Sequence, residues 1–126
     1  RLGGTVMELQ IGARTEGTVT VIDVAGEVDL YTAPRLEEAL ARGSAGAPPL
    51  VVVNLSKTTY MDSTALRVLT AALKRVRERE GALALVSTQP KIAKLFSITG
   101  LDQVFPICAT EPEAIEKART HGSGRP

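Results

Sequence analysis

The sequence has little of what most enzymes and metal proteins depend on. Its 126 residues include one Cys, one His and no Trp, and aromatic residues make up only 3%. One thiol and one imidazole cannot supply a zinc site of the usual kind, and a single Cys cannot form an internal disulfide. Scarce aromatics argue against a base-stacking surface for single-stranded nucleic acid. The core must therefore be aliphatic.

Catalytic motifs are also missing. The one His, His121, lies in a Gly-rich C-terminal stretch, which is a poor place for the base of a Ser–His–Asp triad. The chain has no Gly-x-x-x-x-Gly-Lys phosphate loop, no Gly-x-Gly-x-x-Gly after a strand and no calcium-loop spacing. Asp29 and Asp62 would serve as an acid–base pair only if the fold brought them together. We expect no catalytic residue, no metal site and no cofactor.

The net charge argues against binding to nucleic acid, and the hydropathy argues against a membrane-spanning segment. The net charge is +1, so no global field attracts DNA or an anionic bilayer. No apolar run approaches the roughly 20 residues of a membrane span, and the first residues lack the apolar segment of a signal peptide. The lone Cys108 suits a reducing compartment, and its apolar setting favours packing over redox chemistry. We expect a cytoplasmic protein.

Hydrophobic patterns predict an α/β fold with five strands and four helices. Strands are expected at residues 6–11, 18–25, 50–55, 82–87 and 104–108, and helices are expected to begin near residues 32, 63, 88 and 110. The first two strands predict an N-terminal hairpin with a medium loop at 12–17. The later alternation predicts right-handed βαβ crossovers and a mixed, mostly parallel sheet. Thr32 is expected to cap the first helix, and Gly81 to end the second in the left-handed conformation.

One stretch organises the rest of the chain. Asp62-Ser63-Thr64 follows the most apolar strand and opens the longest helical pattern, at 63–80. The first turn of a helix has backbone N–H groups without intrahelical partners and carries the positive end of the dipole, which favours an anion or a phosphoryl group. Ser63 is therefore a candidate for modification. The residues alone leave a plainer interpretation open, in which Asp62 or Ser63 is simply the N-cap, worth about 1 kcal/mol.

Three segments carry a family resemblance. Residues 26–33 read Gly-Glu-Val-Asp-Leu-Tyr-Thr-Ala, residues 61–66 read Met-Asp-Ser-Thr-Ala-Leu, and residues 99–105 read Thr-Gly-Leu-Asp-Gln-Val-Phe. In this order the chain resembles the anti-sigma factor antagonists, the bacterial STAS-domain proteins. The resemblance implies a single STAS-like domain over residues 6–119 with flexible termini at 1–5 and 120–126. Ala65 stands where the family segment has Gly, and its extra methyl is expected near the site, where it would affect partner fit.

The resemblance also implies a function. In that family the Ser after the Asp is phosphorylated by an anti-sigma factor with serine kinase activity, which the unphosphorylated antagonist captures; a serine phosphatase resets the cycle. Carried over, Ser63 is the phosphosite, with Thr64 as the competing position. Asp29, Asp62, Ser63, Thr64 and Arg67 are the expected contact residues. The protein itself would not be an enzyme.

Other functions stay open at this point. A STAS scaffold or subunit of a stress-signalling or lipid-transport complex would use Asp62-Ser63-Thr64 only as a cap and docking surface. A small nucleotide-binding or hydrolytic enzyme is a further alternative, against which the missing phosphate loop and the missing base weigh. A weak homodimer is also left open.

Overall fold

The sequence folds into a five-stranded sheet with four α-helices. This computed structural model describes residues 9–123, with side chains from 9 to 120. The strands are Gln10–Glu16 (β1), Val19–Val28 (β2), Leu50–Met61 (β3), Ala82–Val86 (β4) and Ile107–Cys108 (β5). The helices are Ala33–Gly43 (α1), Ser63–Glu78 (α2), Pro90–Thr99 (α3) and Glu111–Ser123 (α4).

The sheet is mixed and mostly parallel. The strands lie in the order β1-β2-β3-β4-β5, with β1 antiparallel to β2 and the other neighbours parallel. The predicted fold class is therefore confirmed, including the N-terminal hairpin and the four helices. None of the helices within residues 9–123 is long and apolar enough to cross a membrane.

Two aliphatic layers hold the sheet between helices. On one face, α1, α2 and α3 bury Leu36, Leu69 and Phe96 against the sheet. On the other face, α4 packs through the small side chains of Ala114 and Ala118 on a second cluster. Small residues let this helix approach the sheet closely. The prediction of an aliphatic core is confirmed.

The predicted bounds of the hairpin were wrong. Residues 6–8 lie outside the described part of the chain, and the strand occupies Gln10–Glu16, through the stretch that was expected to turn. The turn consists of Gly17 and Thr18 only, and Gly17 has φ 65°, which suits glycine. All positions of this edge strand except the half-buried Ile11 are exposed, so it lacks the apolar face that distinguishes a strand from a loop in the sequence.

The end of α2 also differs from the prediction. Glu80, not Gly81, adopts the left-handed conformation, with φ 63°. Gly81 is required for a different reason: a Cβ there would collide with the carbonyl oxygen of Pro49. That carbonyl also accepts a 2.9 Å hydrogen bond from the backbone N–H of Ala82, at the start of β4.

The C-terminal part is more helical than expected. α4 continues to Ser123 and so includes His121, within the segment that was predicted as a flexible terminus from residue 120. Residues 1–5 and 124–126, the remaining predicted termini, lie outside the described residues. β5 is shorter than predicted because the backbone N–H groups of Val104 and Phe105 both donate to the carbonyl of Leu101, which extends the turn begun at 101–103 into the expected strand. Thr110 caps α4 by accepting a 3.3 Å hydrogen bond from the N–H of Glu113.

Candidate functional site

The site lies where β2 and β3 end side by side. Val28 pairs with Met61, and the backbone N–H of Asp62 donates to the carbonyl of Val28 at 3.2 Å. Asp29 and Asp62 therefore directly follow two neighbouring parallel strands, at the edge where α/β proteins usually place their sites. β3 reaches this edge because it continues six residues beyond its predicted end at Leu55. We call residues 29–32 and 62–64 the edge loops.

Asp62 is the N-cap of α2. Its Oδ1 accepts hydrogen bonds from the backbone N–H groups of Thr64, at 2.9 Å, and Ala65, at 3.2 Å. Such a cap contributes about 1 kcal/mol to helix stability. Of the two cap candidates in the sequence, Asp62 fills the role, so the hydroxyl of Ser63 is not needed for it.

Ser63 is the first residue of α2 and its side chain is exposed, whereas Thr64 is half-buried. Within the part of the chain that the structure describes, the Ser63 hydroxyl has no hydrogen-bond partner. The two candidate phosphosites therefore differ in access. An enzyme approaching this edge meets the Ser63 hydroxyl before that of Thr64.

Asp29 orders the other edge loop. Its Oδ1 accepts from the backbone N–H groups of Tyr31, at 2.9 Å, and Thr32, at 3.0 Å. The Thr32 hydroxyl donates to the carbonyl of Glu27 at 2.9 Å and accepts from the N–H of Asp29 at 2.9 Å. Thr32 therefore links the loop to β2. Its side chain does not cap α1, so the prediction that it would was wrong. The Thr32 N–H is the main reason why the pKa of Asp29 lies below its ordinary value.

The fold brings Asp29 and Asp62 to the same edge but does not make them an acid–base pair. Each carboxylate accepts backbone N–H groups of its own loop. Hydrogen bonds from its own loop, and not a neighbouring carboxyl, set the pKa of Asp29 below its ordinary value. Both acids serve to shape their loops.

Exposed apolar side chains lie in and next to the edge loops, and the sequence interpretation missed them. Leu30 is 62% exposed, Tyr31 86% and Tyr60 49%. The other exposed large hydrophobics among the described residues are Ile98, at 71% on α3, and Val104, at 36% after it. A usable signal was present in the sequence, since Leu30 and Tyr31 lie inside an Asp-x-x-Thr turn and a tight turn cannot bury them. Clustered exposed apolar groups are typical of a protein-binding surface.

Arg67 and Ala65 have opposite environments. Arg67 is exposed on α2, one turn beyond Ser63, and no partner of its guanidinium exists among the residues described. Ala65 is fully buried in the larger core cluster. The expectation that its methyl would alter the partner surface was therefore wrong, because the methyl points into the core.

A second polar region lies on the α4 face of the sheet, and its groups bind one another. Arg14 contacts the carboxylates of Glu16 at 2.9 Å, Asp23 at 3.1 Å and Glu111 at 2.6 Å. Asn54 donates to the same Oε1 of Glu111 at 2.9 Å. Arg14 is the main reason why the pKa of Glu111 lies below its ordinary value, and these contacts raise the pKa of Arg14 in turn. We call these five residues the Arg14 cluster; it ties the hairpin to α4.

Cysteine and metal chemistry find little support in the described region. Cys108 is buried in β5, and burial raises the pKa of its thiol, which favours the packing role. No group of three or more His, Cys, Asp or Glu side chains in residues 9–120 is placed to hold a metal ion.

Comparison with known proteins agrees with the resemblance in the sequence. The model of the STAS domain family matches residues 10–114. The anti-sigma-B factor antagonist of Listeria monocytogenes is 39% identical over 92 residues, which cover 73% of this chain and 81% of that protein. The family resemblance is thereby confirmed.

Solved structures give the same result. An anti-sigma factor antagonist from Mycobacterium paratuberculosis superposes with a TM-score of 0.81 at 30% identity, covering 89% of this chain and 95% of that one. The Bacillus cell fate determinant SpoIIAA, solved in its phosphorylated form, has a TM-score of 0.65 at 21% identity, covering 87% and 98%. The second likeness concerns the fold alone.

Proposed function

The chain belongs to the STAS domain family, and from that premise we propose that it is an anti-sigma factor antagonist controlled at Ser63. Unphosphorylated, it binds an anti-sigma factor with serine kinase activity and so frees a sigma factor. Phosphorylated, it releases that partner. The observation that carries the proposal is the exposed Ser63 hydroxyl at the start of α2, which has no partner in the described part of the chain and lies on the same edge as Leu30, Tyr31 and Tyr60.

The proposed binding surface consists of the edge loops together with Arg67 and Tyr60. Leu30, Tyr31 and Tyr60 supply apolar area, and burying such area contributes about 25 cal/mol per Å². Asp29 and Asp62 hold the loops in shape before the partner arrives, so little ordering is needed on binding. This preorganisation favours docking without a large change in the antagonist.

The modification is a phosphoryl transfer. The Oγ of Ser63 attacks the γ-phosphorus of the nucleoside triphosphate held by the kinase, and a new O–P bond forms. The bond between that phosphorus and the bridging oxygen breaks, the nucleoside diphosphate leaves, and the hydroxyl proton passes to a base of the kinase. A serine phosphatase reverses the state by hydrolysing the phosphate ester with water.

Release follows from charge rather than from refolding. A phosphoserine carries about −1.5 to −2 charges at neutral pH. Near a helix N-terminus that charge is tolerated, so the domain stays folded. On the partner surface it lies beside Asp62, and a partner with acidic or apolar groups there would face like-charge juxtaposition that costs several kcal/mol. SpoIIAA, which shares this fold, has been solved in its phosphorylated form, and this supports the idea that the fold accommodates a phosphate.

A kinase assay tests the assignment of the site. The full chain, Ser63→Ala and Thr64→Ala are incubated with ATP and each anti-sigma kinase of the source organism, and phosphate is located by intact-mass and fragment-mass analysis. We expect one phosphate on the unmodified chain and on Thr64→Ala, and none on Ser63→Ala. Phosphate on Thr64 or elsewhere in Ser63→Ala would contradict the assignment.

A scaffold role is the second candidate. It is favoured by the observation that Asp62 alone caps α2 and that the exposed apolar side chains can dock without any chemistry at Ser63. Under that alternative the protein co-purifies stably with a larger complex, such as a stress-signalling or lipid-transport assembly, and Ser63 stays unmodified in cells.

A further inference from the structure

Arg67 lies one helical turn after Ser63 on the same face of α2. Side chains at positions i and i+4 of a helix are neighbours, with about 5–6 Å between their Cβ atoms. Arg67 is exposed, and no described residue pairs with it. We propose that Arg67 binds the phosphate of phosphorylated Ser63 within the same chain. This inference rests on the proposed function, in which Ser63 is the phosphosite.

The backbone N–H groups of the three residues that follow Ser63 are not free to take the phosphate. The N–H groups of Thr64 and Ala65 already donate to Asp62, and the N–H of Leu66 donates to the Asp62 carbonyl at 3.2 Å. A phosphate would have to displace a carboxylate to reach the first two. A side-chain cation is the easier partner, and the planar guanidinium of arginine matches phosphate oxygens in pairs.

The other arginines of this helix and its end are engaged or remote. Arg77 donates to the carbonyl of Val104 at 3.2 Å, and Arg79 donates to that of Ser44 at 2.6 Å. Arg75 has no partner among the described residues, but it lies twelve positions beyond Ser63, about 18 Å along the helix. Arg67 is therefore the cation of α2 placed for the phosphate, and Arg75 is its matched control.

Pairing in cis would change what the partner meets. In the unmodified protein the Arg67 guanidinium is open to an acidic group of the anti-sigma factor. Once Ser63 carries a phosphate, Arg67 binds it and is withdrawn from the partner. Phosphorylation thus adds an anion to the docking surface and removes a cation from it, which explains how one modification at a pre-formed surface gives a sharp loss of binding.

The test uses phosphoserine installed at position 63 during synthesis, in the full chain and in Arg67→Gln and Arg75→Gln. The second pKa of the phosphate, ordinarily near 6, is measured by ³¹P NMR across pH. Pairing with Arg67 favours the dianion, so we expect this pKa to rise by about 0.3 units in Arg67→Gln, as fits an i, i+4 ion pair. Arg75→Gln should leave it unchanged. The side-chain Nε–H resonance of Arg67 should move with the same midpoint.

The neighbouring charges are the same in all three proteins. On the elements that meet at this edge they are Glu27 on β2, Asp29 and Asp62 in the edge loops, and Arg35 on α1. An equal phosphate pKa in Arg67→Gln and Arg75→Gln, with an unmoved Arg67 resonance, would overturn the inference. Because the phosphoserine is installed without a kinase, this outcome is distinct from failure of the proposed function, which would show as no phosphorylation of Ser63 by any kinase.

Discussion

The Arg14 cluster and the edge loops are two polar regions that differ in how far their polar side chains are already paired. Arg14 lies within 3.1 Å of three carboxylates, whereas Arg67 contacts no charged side chain among the described residues. Glu111 is held by both Arg14 and Asn54, while the Ser63 hydroxyl has no partner among the residues that the structure describes. In the Arg14 cluster the polar side chains bind one another and so join the hairpin to α4. The second region leaves the Ser63 hydroxyl and the nearby Arg67 guanidinium available, and this difference supports the proposal that the edge loops are the surface that meets a partner.

The largest predicted effect is on binding at the edge loops. Tyr31→Ala should weaken binding to the anti-sigma factor by about 10- to 30-fold, because an exposed aromatic at the centre of an interface is a typical hot spot. Its unfolding free energy should stay within about 0.5 kcal/mol, since the side chain packs on little of its own protein. Titration calorimetry and urea unfolding measure the two quantities.

Ile98→Ala is the matched control for Tyr31→Ala. Ile98 is 71% exposed but lies on α3. We expect its truncation to change neither affinity nor stability. An equal loss of affinity in both variants would show that the partner does not read the edge loops in particular.

Asp62 belongs to the edge loops, yet its carboxylate is already hydrogen-bonded within its own chain, where it caps α2. Asp62→Ala should lower the unfolding free energy by about 1 kcal/mol through loss of the cap, measured by urea unfolding. Asp62→Asn should retain most of the stability, since Asn caps about as well as Asp. If Asp62→Asn lost as much as Asp62→Ala, the carboxylate charge and not the cap would be the stabilising feature.

The Arg14 cluster should show the reverse behaviour. Arg14→Gln should cost about 0.5–1 kcal/mol of stability, at the upper end for partly exposed ion pairs, and leave partner binding unchanged. Arg67→Gln in the unmodified protein should cost almost no stability. Equal losses of stability in the two variants would remove the distinction between a paired and an unpaired arginine.

The smallest predicted effect is a pH dependence that the Arg14 cluster imposes. Arg14 keeps the pKa of Glu111 below its ordinary value in the folded protein. Stability from this contact is therefore fully present above the unfolded pKa of Glu, about 4.3, and is lost as pH falls through the lowered folded pKa. NMR titration of the Glu111 carboxyl should show the low pKa in the natural sequence and its return toward the ordinary value in Arg14→Gln.

Sequence reasoning reached the fold and the helix that presents Ser63, because these depend on local patterns. The stripe of Leu66, Leu69 and Leu73 and the acidic residue before Ser63 predicted α2 within two residues of its true end. The parallel strands followed from the alternation of elements. Where periodicity is strong, a single sequence suffices.

Contacts between residues far apart in the sequence could not be predicted from the sequence alone. Arg14, Asp23 and Glu111 meet across 97 sequence positions, and no local pattern announces that. β1 was misplaced because an exposed edge strand has no apolar face to reveal it. The exposure of Tyr31 and the burial of Ala65 likewise depend on how two loops meet at the end of the sheet.

The most direct test of the central claim is the affinity of one anti-sigma factor for the unmodified chain and for the chain with phosphoserine at position 63. Amide NMR spectra of the two forms verify that both are folded. A like-charge penalty of a few kcal/mol corresponds to at least about 100-fold weaker binding of the phosphorylated form, and that is the predicted result. Affinities within about threefold of each other, roughly 0.6 kcal/mol, would contradict control of the partner by Ser63.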